Sequence, residues 1–340
     1  MKHPFRLLGA TALALSSTAV SASALAAPSV FVRVLHGPNY GFSAILDIAA
    51  NGKHVWIVNG ATNTVTDVNA VTGAVVEVLK KQKFAFNGPD RIADDGTHLW
   101  VANSAGNSVT ELDAGTGALV RVIKGSTYKL HGSAFVTSNG RNVWISNLRG
   151  NAVAELTAST GAFVRVIKGT SLGIDHVWAL ASDAKHVWAT DGATNEVAEL
   201  RAKGGSLVKV LRGKPFRFDG PTAIADDGTH VWVANDRNSS VTEFDARTGK
   251  FIRIVKGRQY GLSVTTALAS NGAHVWAANI GSTQSNANTV TEFNASTGAL
   301  EKLLASPHYG FAKPNAVAVS GEHVWIGNQG GSTVTELTTG

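Results

Sequence analysis

The chain has 340 residues, of which 44% are hydrophobic and 16% are charged, and its formal net charge at pH 7 is +6. This composition is typical of a folded globular protein and excludes an intrinsically disordered chain. The sequence contains no cysteine, which excludes disulfide bonds and a lipid attached to an N-terminal cysteine.

The first residues have the pattern of a secretory signal peptide. Lys2 and Arg6 form a short basic region, an apolar stretch of small residues follows, and Ala24 to Ala26 provides the small residues of a cleavage site. We therefore predict that residues 1–26 are removed on export and that residues 27–340 form one domain. The apolar stretch is too short for a membrane-spanning helix, and no transmembrane segment is expected later in the chain. The predicted location is the periplasm or the extracellular medium.

One motif recurs along the rest of the chain with a period of 44 residues. Its clearest member is a tryptophan, found at Trp56, Trp100, Trp144, Trp188, Trp232, Trp276 and Trp325, and only the last spacing differs from the period. Each unit contains four short runs rich in Val, Ile, Thr and Leu, separated by turn signals such as Asp95-Gly96. Four strands in a repeat of this length are typical of a propeller blade. We predict an all-β fold, a seven-bladed β-propeller with four antiparallel strands per blade, here named a to d in chain order.

The ends of the chain predict how the ring closes. The last unit stops after strand c, and residues 30–35 match the missing strand d. We therefore predict that this N-terminal strand joins the last blade. In most blades an acid on strand c faces a base on strand d, and Arg33 provides the base for Glu336. Asp67 and Glu77 in the first blade break this rule. We expect these pairs to be exposed and to contribute little to stability.

The repeat motif HVWVAN, followed by NSVTELDA and a closing TG, resembles the YVTN family of bacterial propeller repeats over residues 30–340. The resemblance implies the propeller architecture and, frequently, an exported protein, without implying an activity. The chain is also distantly similar to NHL and streptogramin-lyase propellers. Streptogramin lyases have a Trp-Phe-Thr-Glu strand where this chain has Trp-Val-Ala-Asn, so the glutamate that those enzymes offer is missing here.

Polar residues that recur in nearly every blade are interpreted as structural. A histidine begins strand b in six of the seven units, at His54, His98, His186, His230, His274 and His323. Such residues are separated around the ring by the width of a blade, which is too far for ligands of a common metal ion. The asparagines that end strand b are interpreted as turn-forming residues, with a ring of amide oxygens at the channel mouth as the alternative. No metal site and no cofactor are predicted.

The positions at which the repeat breaks are the candidates for a ligand-binding site. Strand a of each blade is expected to line a central channel. Asp47, Asp90, Arg91 and Asn315 are unusual residues near the start of strand a in blades one, two and seven, which are neighbours in the ring. Trp178 replaces a small or polar residue in blade four. We predict that these five residues line the channel mouth. The structural alternative is a buried ion pair between Asp47 and Arg91.

The loops that join strand d to the next strand a are basic. Lys83, Lys129, Lys214, Arg217 and Arg258 represent this set, and Phe and Tyr residues alternate with the basic ones. Positive charge with aromatic rings on one face favours the binding of an anionic polymer, such as single-stranded nucleic acid or an acidic glycan. The alternative is a solvated rim whose aromatic residues pack between the blades.

These observations favour an exported binding or scaffold protein, expected to be a monomer, whose ligand is an anionic polymer or another exported protein. No catalytic residue is assigned, because no nucleophile elbow, phosphate-binding loop or group of metal ligands is present. An enzyme is the less favoured hypothesis. It would be a small-molecule lyase or lactonase acting in the central channel, with His131 and His176, two histidines outside the strand-b series, as the candidate residues.

Overall fold

Each repeat unit folds into one antiparallel four-stranded sheet in the computed structural model, which describes residues 27–80, 82–281 and 288–339. The seven sheets are the blades of a seven-bladed β-propeller, which confirms the predicted fold class. The predicted signal peptide lies outside the described residues. Among the residues that the structure describes, no helix has the length and apolar character needed to cross a bilayer.

The strands follow one another in the order a, b, c, d within the first six blades. Blade 1 contains β2 (Ile45–Ala50), β3 (His54–Asn59), β4 (Thr64–Asn69) and β5 (Val75–Leu79). Blade 2 contains β6 (Pro89–Asp94), β7 (His98–Asn103), β8 (Ser108–Asp113) and β9 (Leu119–Lys124). Blade 3 contains β10 (Ser133–Ser138), β11 (Asn142–Asn147), β12 (Ala152–Thr157) and β13 (Phe163–Lys168). Blade 4 contains β14 (Val177–Ser182), β15 (His186–Asp191), β16 (Glu196–Arg201) and β17 (Leu207–Leu211).

The remaining blades follow the same plan. Blade 5 contains β18 (Pro221–Asp226), β19 (His230–Asn235), β20 (Ser240–Asp245) and β21 (Phe251–Lys256). Blade 6 contains β22 (Thr265–Ser270), β23 (His274–Asn279), β24 (Thr289–Asn294) and β25 (Leu300–Leu304). Blade 7 contains β26 (Pro314–Ser320), β27 (His323–Asn328), β28 (Thr333–Thr338) and β1 (Val30–Leu35). Short 3₁₀ turns in the loops between blades span Pro38–Tyr40, Gln82–Phe84, Ser126–Tyr128, Thr170–Leu172, Arg258–Tyr260 and Pro307–Tyr309.

The ring closes as the sequence predicts. Strand β1 pairs with β28 as the outermost strand of blade 7, with Arg33 opposite Glu336. The first and last described strands are therefore neighbours in one sheet, and ring closure depends on main-chain hydrogen bonds between the two ends of the chain.

The core consists of seven apolar clusters in which neighbouring blades pack against each other. The strand-b tryptophan of each blade is fully buried, and it packs against apolar residues of the next blade. Trp56, for example, packs with Leu99 and Val101 of blade 2, and Trp325 packs with Val55 and Ile57 of blade 1. A single sheet cannot bury both of its apolar faces, so the blades are stable only as a ring.

The acid on strand c and the base on strand d form the cross-strand pairs that the sequence predicts. Glu111 lies opposite Arg121, Glu155 opposite Arg165, Glu199 opposite Lys209, Glu243 opposite Arg253, and Glu292 opposite Lys302. The expectation that these pairs are exposed was wrong. The glutamates are buried, because strand c lies between the faces of two blades, and only the basic partners reach the solvent.

Most of these bases also contact the next blade, and we call this arrangement the inter-blade bridge. Arg253 is the clearest example. Its Nε lies 2.8 Å from Oε2 of Glu243 in an ion pair, and its Nη2 donates to the carbonyl of Ser296, in the c–d turn of blade 6, at 2.7 Å. Equivalent contacts join Arg121 to Ser159, Arg165 to Gly204, Lys209 to Thr248, and Arg33 to Val71 and Thr72. Each bridge therefore connects a buried carboxylate to the neighbouring blade through a charge-assisted hydrogen bond.

The bridge explains the glycine of the repeated Thr-Gly turn. Gly298 has a φ of 70°, and a Cβ at this position would lie 2.8 Å from Cδ of Arg253. The left-handed backbone and the close approach of the base both require glycine here. In the blades that have the bridge, this turn is thus the site that receives the base of the preceding blade.

Blade 1 lacks the bridge, since it has Asp67 opposite Glu77. Glu77 is exposed and cannot donate a hydrogen bond to the turn of blade 2, where a Cβ on Gly117 would meet the ring of Trp56 instead of a base. The interface between blades 1 and 2 therefore depends on apolar packing without this polar contact.

We predict that Asp67→Glu combined with Glu77→Arg creates the missing bridge and raises the melting temperature by a few degrees. One added charge-assisted bond, partly exposed, is expected to contribute about 1 kcal/mol. Differential scanning calorimetry at pH 7 measures the change. Glu77→Ala is the matched control, because it removes the like-charge pair without adding a donor. An equal gain in both variants would show that relief of repulsion alone is responsible.

Candidate functional site

The channel is lined by the strand-a residues of all seven blades. The strands begin at what we call the upper face, which carries the d–a and b–c loops, and they end at the lower face, which carries the a–b and c–d turns. The upper part of the channel encloses a cavity of about 210 Å³. Its lining includes Asp47, Arg91, Phe135, Ala179, Thr222, Thr266 and Val317.

The unusual residues of blades 7, 1 and 2 meet at one backbone carbonyl. Arg91 Nη1 donates to the oxygen of Leu46 at 3.2 Å, and Asn315 Nδ2 donates to the same oxygen at 3.1 Å. Asp47 lies beside this carbonyl, and its two carboxylate oxygens accept the backbone N–H groups of Ile48 and Ile92 at 3.0 and 2.9 Å. The structure thus brings Asp47, Arg91 and Asn315 together, in contacts that join three successive blades.

Arg91 forms its ion pair with Asp90, at 3.0 Å, and not with Asp47. The structural alternative, a buried ion pair between Asp47 and Arg91, is therefore wrong, because the partner of Arg91 is Asp90. The bulge that follows the first residue of strand a places successive side chains in new directions, which sequence spacing does not show. The guanidinium also lies 4.8 Å from the centre of the Phe135 ring, so that one of its faces is covered.

Burial in the channel wall raises the pKa of Asp47 from 3.8 to about 6, although Arg91 and the two backbone amides oppose the shift. A carboxyl group with this pKa is half ionised near pH 6. It is the group in the upper cavity best suited to proton transfer, but both of its oxygens already accept hydrogen bonds.

Trp178 lies apart from this cluster. It is 44% exposed at the start of β14 in blade 4, and its ring covers Gly192, whose Cβ position would lie 3.3 Å from it. Together with Asp236 and Arg237 it lines a separate pocket of about 120 Å³ on the upper face. The five residues predicted to line the channel mouth therefore lie in two separate places, one around Asp47 and one around Trp178.

The predicted basic residues of the d–a loops are exposed on the upper face. Lys83, Lys129, Lys214, Arg217 and Arg258 all carry side chains open to solvent. Lys83 lies 4.8 Å from the centre of the Phe84 ring, so part of its charge faces an aromatic surface.

The aromatic residues of the same loops pack between the blades instead of facing the solvent. Phe84, Phe216 and Phe218 are buried, and they pack with the apolar clusters of the neighbouring strands. Pairs two residues apart stack on each other, as in Phe216 with Phe218, whose ring centres are 5.3 Å apart. This outcome agrees with the alternative in which the rings are structural, so the loops present cations without a row of rings for base stacking.

Two adjoining clefts open on the upper face on either side of blade 2. One, of about 400 Å³, is lined by Lys80, Lys124 and the loop around Phe86. The other, of about 390 Å³, is lined by Lys124, Lys129 and His131. Both lie within the size range of ligand-binding sites, and none of the described residues that line them carries a carboxylate. The three lysines were predicted as members of the basic d–a loops, whereas the clefts, which arise from the spacing between blades, were not predicted.

The recurrent polar residues have structural partners. His323 Nδ1 lies 2.7 Å from Glu336, and in blade 3 Asn142 takes the place of the histidine and donates to Glu155 at 2.8 Å. The asparagine that ends strand b points inward. Asn59, for example, donates to Thr66 at 2.9 Å and accepts a hydrogen bond from a loop amide. These side chains fix strand c and the loops, as their recurrence suggests.

One group of potential metal ligands was missed by the sequence analysis. His274, Glu292 and Glu301 of blade 6 bring a ring nitrogen and two carboxylate oxygens within 4.8 Å of one another. The signal in the sequence was Glu301, because every other blade has Val or Ile at this position of strand d, such as Val76 in blade 1. Glu301 lies on the outer strand β25, away from the channel and the loops in which the other breaks of the repeat occur.

No protein-family model matches the chain, and no curated protein sequence matches it. Solved structures do resemble it. Virginiamycin B lyase from Staphylococcus aureus superposes with a TM-score of 0.72 at 15% identity, covering 90% of this chain and 98% of that one. A streptogramin B lyase gives 0.68 at 15% identity, with 92% and 97% covered. The WD40 repeats of RRP9 give 0.70 at 13% identity, with 93% and 99% covered.

At such low identity these likenesses show the fold alone. They include both an enzyme and a repeat domain, so they support a seven-bladed propeller without selecting an activity. The resemblance to the YVTN family remains a prediction.

We predict that Asp47→Asn makes stability less dependent on pH. A carboxyl group whose pKa is higher in the folded state favours folding when protonated, so its contribution is full below pH 4 and is lost as the pH rises through about 6. The difference in melting temperature, Asp47→Asn minus the unchanged protein, should therefore increase between pH 4 and pH 7. Thermal unfolding followed by circular dichroism measures it.

Asp113→Asn is the control for this series. A hydrogen bond from the Thr116 hydroxyl lowers the pKa of Asp113, so this residue stays ionised between pH 5 and pH 7. Its substitution should shift the melting temperature by a constant amount over that range. If Asp47→Asn also gives a constant difference, Asp47 does not titrate as described.

Proposed function

We propose that this chain is an exported binding protein that holds an acidic glycan on its upper face, in the two clefts beside blade 2. Residues 1–26 are the signal peptide in this proposal, and the mature propeller acts in the periplasm or the surrounding medium. The proposal is supported chiefly by one observation. Lys80, Lys124 and Lys129 line adjoining clefts of about 400 and 390 Å³ whose described lining carries no opposing acid.

Several features favour an extended anionic ligand. The two clefts share Gly106 and Lys124, so a polymer can follow the rim from one to the other. Further cations lie along the same face at Lys83, Arg217 and Arg258. Clustered positive charge on a concave surface attracts anions and raises their association rate.

An acidic glycan fits better than single-stranded nucleic acid. Binding of single strands without sequence preference relies on rings that stack on the bases, and the loop phenylalanines are packed between blades. Among the described Phe, Tyr and Trp side chains, Trp178 is the exposed one, and it lies in blade 4, away from the clefts. The partner need only offer carboxylate or sulfate groups at intervals that match the lysines.

A lyase or lactonase in the channel is the second candidate. Asp47, with its pKa of about 6, favours it as a general base. The cavity of about 210 Å³ is smaller than most ligand sites, however, and the polar groups around it are bonded to each other and to the backbone. His131 lines a loop cleft and not the channel cavity. The geometry therefore supports binding better than catalysis.

We predict that replacing Lys80, Lys124 and Lys129 together by Ala weakens binding of heparin or polygalacturonate at least tenfold. Loss of three cations removes both attraction and hydrogen-bond donors, and the affinity of the unchanged protein should fall steeply with salt. Isothermal titration at 50 and 200 mM NaCl measures both effects. Lys214→Ala with Arg217→Ala tests the rim near blade 5, where a smaller loss is expected.

The matched control replaces Lys53, Lys185 and Lys203 together by Ala, which removes three exposed lysines from turns of the lower face. An equal loss in this control would mean that net charge, and not the clefts, governs binding. A comparison with an oligothymidine of similar charge separates the two ligand classes, since tighter binding of the oligonucleotide would contradict the preference for a glycan.

We also predict that the exported protein begins at Ala27. Intact mass spectrometry of protein recovered from the periplasm and the medium measures the first residue. A protein that retains residues 1–26 would contradict the signal peptide.

A further inference from the structure

Three potential metal ligands converge in blade 6, at the start of strand b. His274 Nδ1 lies 2.5 Å from Oε2 of Glu301 and 3.3 Å from Oε1 of Glu292. The three side chains come from the three adjacent strands β23, β24 and β25, so the sheet itself fixes their positions. His274 and Glu292 are fully buried, and the side chain of Glu301 is 12% exposed.

This arrangement is specific to blade 6. The other histidines of the series have side chains that are 14–38% exposed, whereas that of His274 is 1% exposed. The difference comes from Glu301, which covers the ring. The equivalent residue is Val120 in blade 2 and Val208 in blade 4, both of which are exposed to solvent. An acid has thus replaced an apolar residue at the one position where it closes a pocket over a buried imidazole.

In blade 6 the base on strand d does not pair with the buried glutamate on strand c, as it does in most other blades. Glu292 lies opposite Lys302 in the sheet, but the Lys302 ammonium donates to the carbonyl of Ser29 at 2.9 Å instead of pairing with the glutamate. Glu292 accepts hydrogen bonds from the backbone N–H and the hydroxyl of Ser29. Two carboxylates therefore lie next to a single imidazole, and burying such charge without a compensating cation is costly.

The separation between His274 and Glu292 fits a small divalent cation. Zinc bonds to nitrogen and oxygen at about 2.0–2.2 Å, so ligand atoms around a tetrahedral ion lie about 3.4 Å apart. The separation between His274 and Glu292 is already 3.3 Å. Glu301 must move by about 1 Å, which its position on the outer strand permits. Asn294 Nδ2 donates to Oε1 of Glu301 at 2.9 Å and leaves Oε2 directed at the imidazole, as expected of a group that orients a ligand.

We propose that His274, Glu292 and Glu301 form a binding site for a first-row divalent metal ion such as Zn²⁺. One imidazole and two carboxylates are ligands that suit such ions, and a water molecule or the Ser29 hydroxyl completes the coordination. The site is independent of the glycan-binding clefts, which lie at the opposite end of the blades.

The site also connects to ring closure. Ser29 immediately precedes β1, and its hydroxyl accepts a hydrogen bond from Nε1 of Trp276 at 2.9 Å in addition to bonding Glu292. A metal ion bound to Glu292 would hold the carboxylate in the position that receives the N-terminal segment. The ion is therefore structural in this proposal, and it strengthens the attachment of β1.

Titration of chelator-treated, metal-free protein with Zn²⁺ tests the proposal. We expect one ion per chain, a higher melting temperature with Zn²⁺, and slower hydrogen exchange in residues 30–35. Glu301→Val gives blade 6 the residue of blades 2 and 4, so it should fold normally, and His274→Asn copies blade 3, which has Asn142. Both variants should bind Zn²⁺ at least tenfold more weakly and lose the stabilisation.

His323→Asn is the control, because it removes the equivalent histidine from blade 7, which has no counterpart of Glu301. Its Zn²⁺ affinity should equal that of the unchanged protein. Absorption of bound Co²⁺ provides a second measurement, since ligand-field bands of a four-coordinate ion should appear in the unchanged protein and disappear in Glu301→Val. Failure of the unchanged protein to bind Zn²⁺, or unaltered binding by Glu301→Val, would overturn the proposal, whereas glycan binding tests the clefts separately.

Discussion

A buried carboxylate on the third strand of the blade is the interaction on which most of the architecture depends. It lies between two sheets, where an uncompensated charge is expensive, and a base on the next strand compensates it. The same base reaches the turn of the following blade, so neutralising the charge also positions the neighbouring sheet. Register within a blade and contact between blades are therefore set by one side chain. Where the acid–base pair is altered, in blades 1 and 6, the structure also departs from the repeat in other ways.

The architecture could be predicted almost completely from the sequence because the repeat contains redundant information. The tryptophan period, the turn residues and the missing strand d all indicate the same ring, including the closing segment Val30–Leu35. The burial of Glu243 and its equivalents could not be read from the sequence. An alternating acid and base indicates a pair of strands, but it does not show which strand lies between two sheets.

The candidate sites were less predictable, because they depend on distances between blades. Asp47, Arg91 and Asn315 meet because their blades are neighbours, and this neighbourhood is readable from the repeat order. The partner of Arg91 was not foreseen, because a bulge redirects its side chain. The clefts beside Lys124 arise from the gap between adjacent loops, and no pattern within one repeat encodes such a gap.

The pairing of β1 with β28 has a consequence for the order of folding. The first strand of the propeller to be synthesised pairs with the last, so contacts that close the ring span nearly the whole chain. Such long-range pairing is slow, and until it is complete the outer edges of β28 and β1 present unpaired main-chain groups. The nascent chain is therefore most vulnerable to edge-to-edge aggregation in the interval between the synthesis of its two ends.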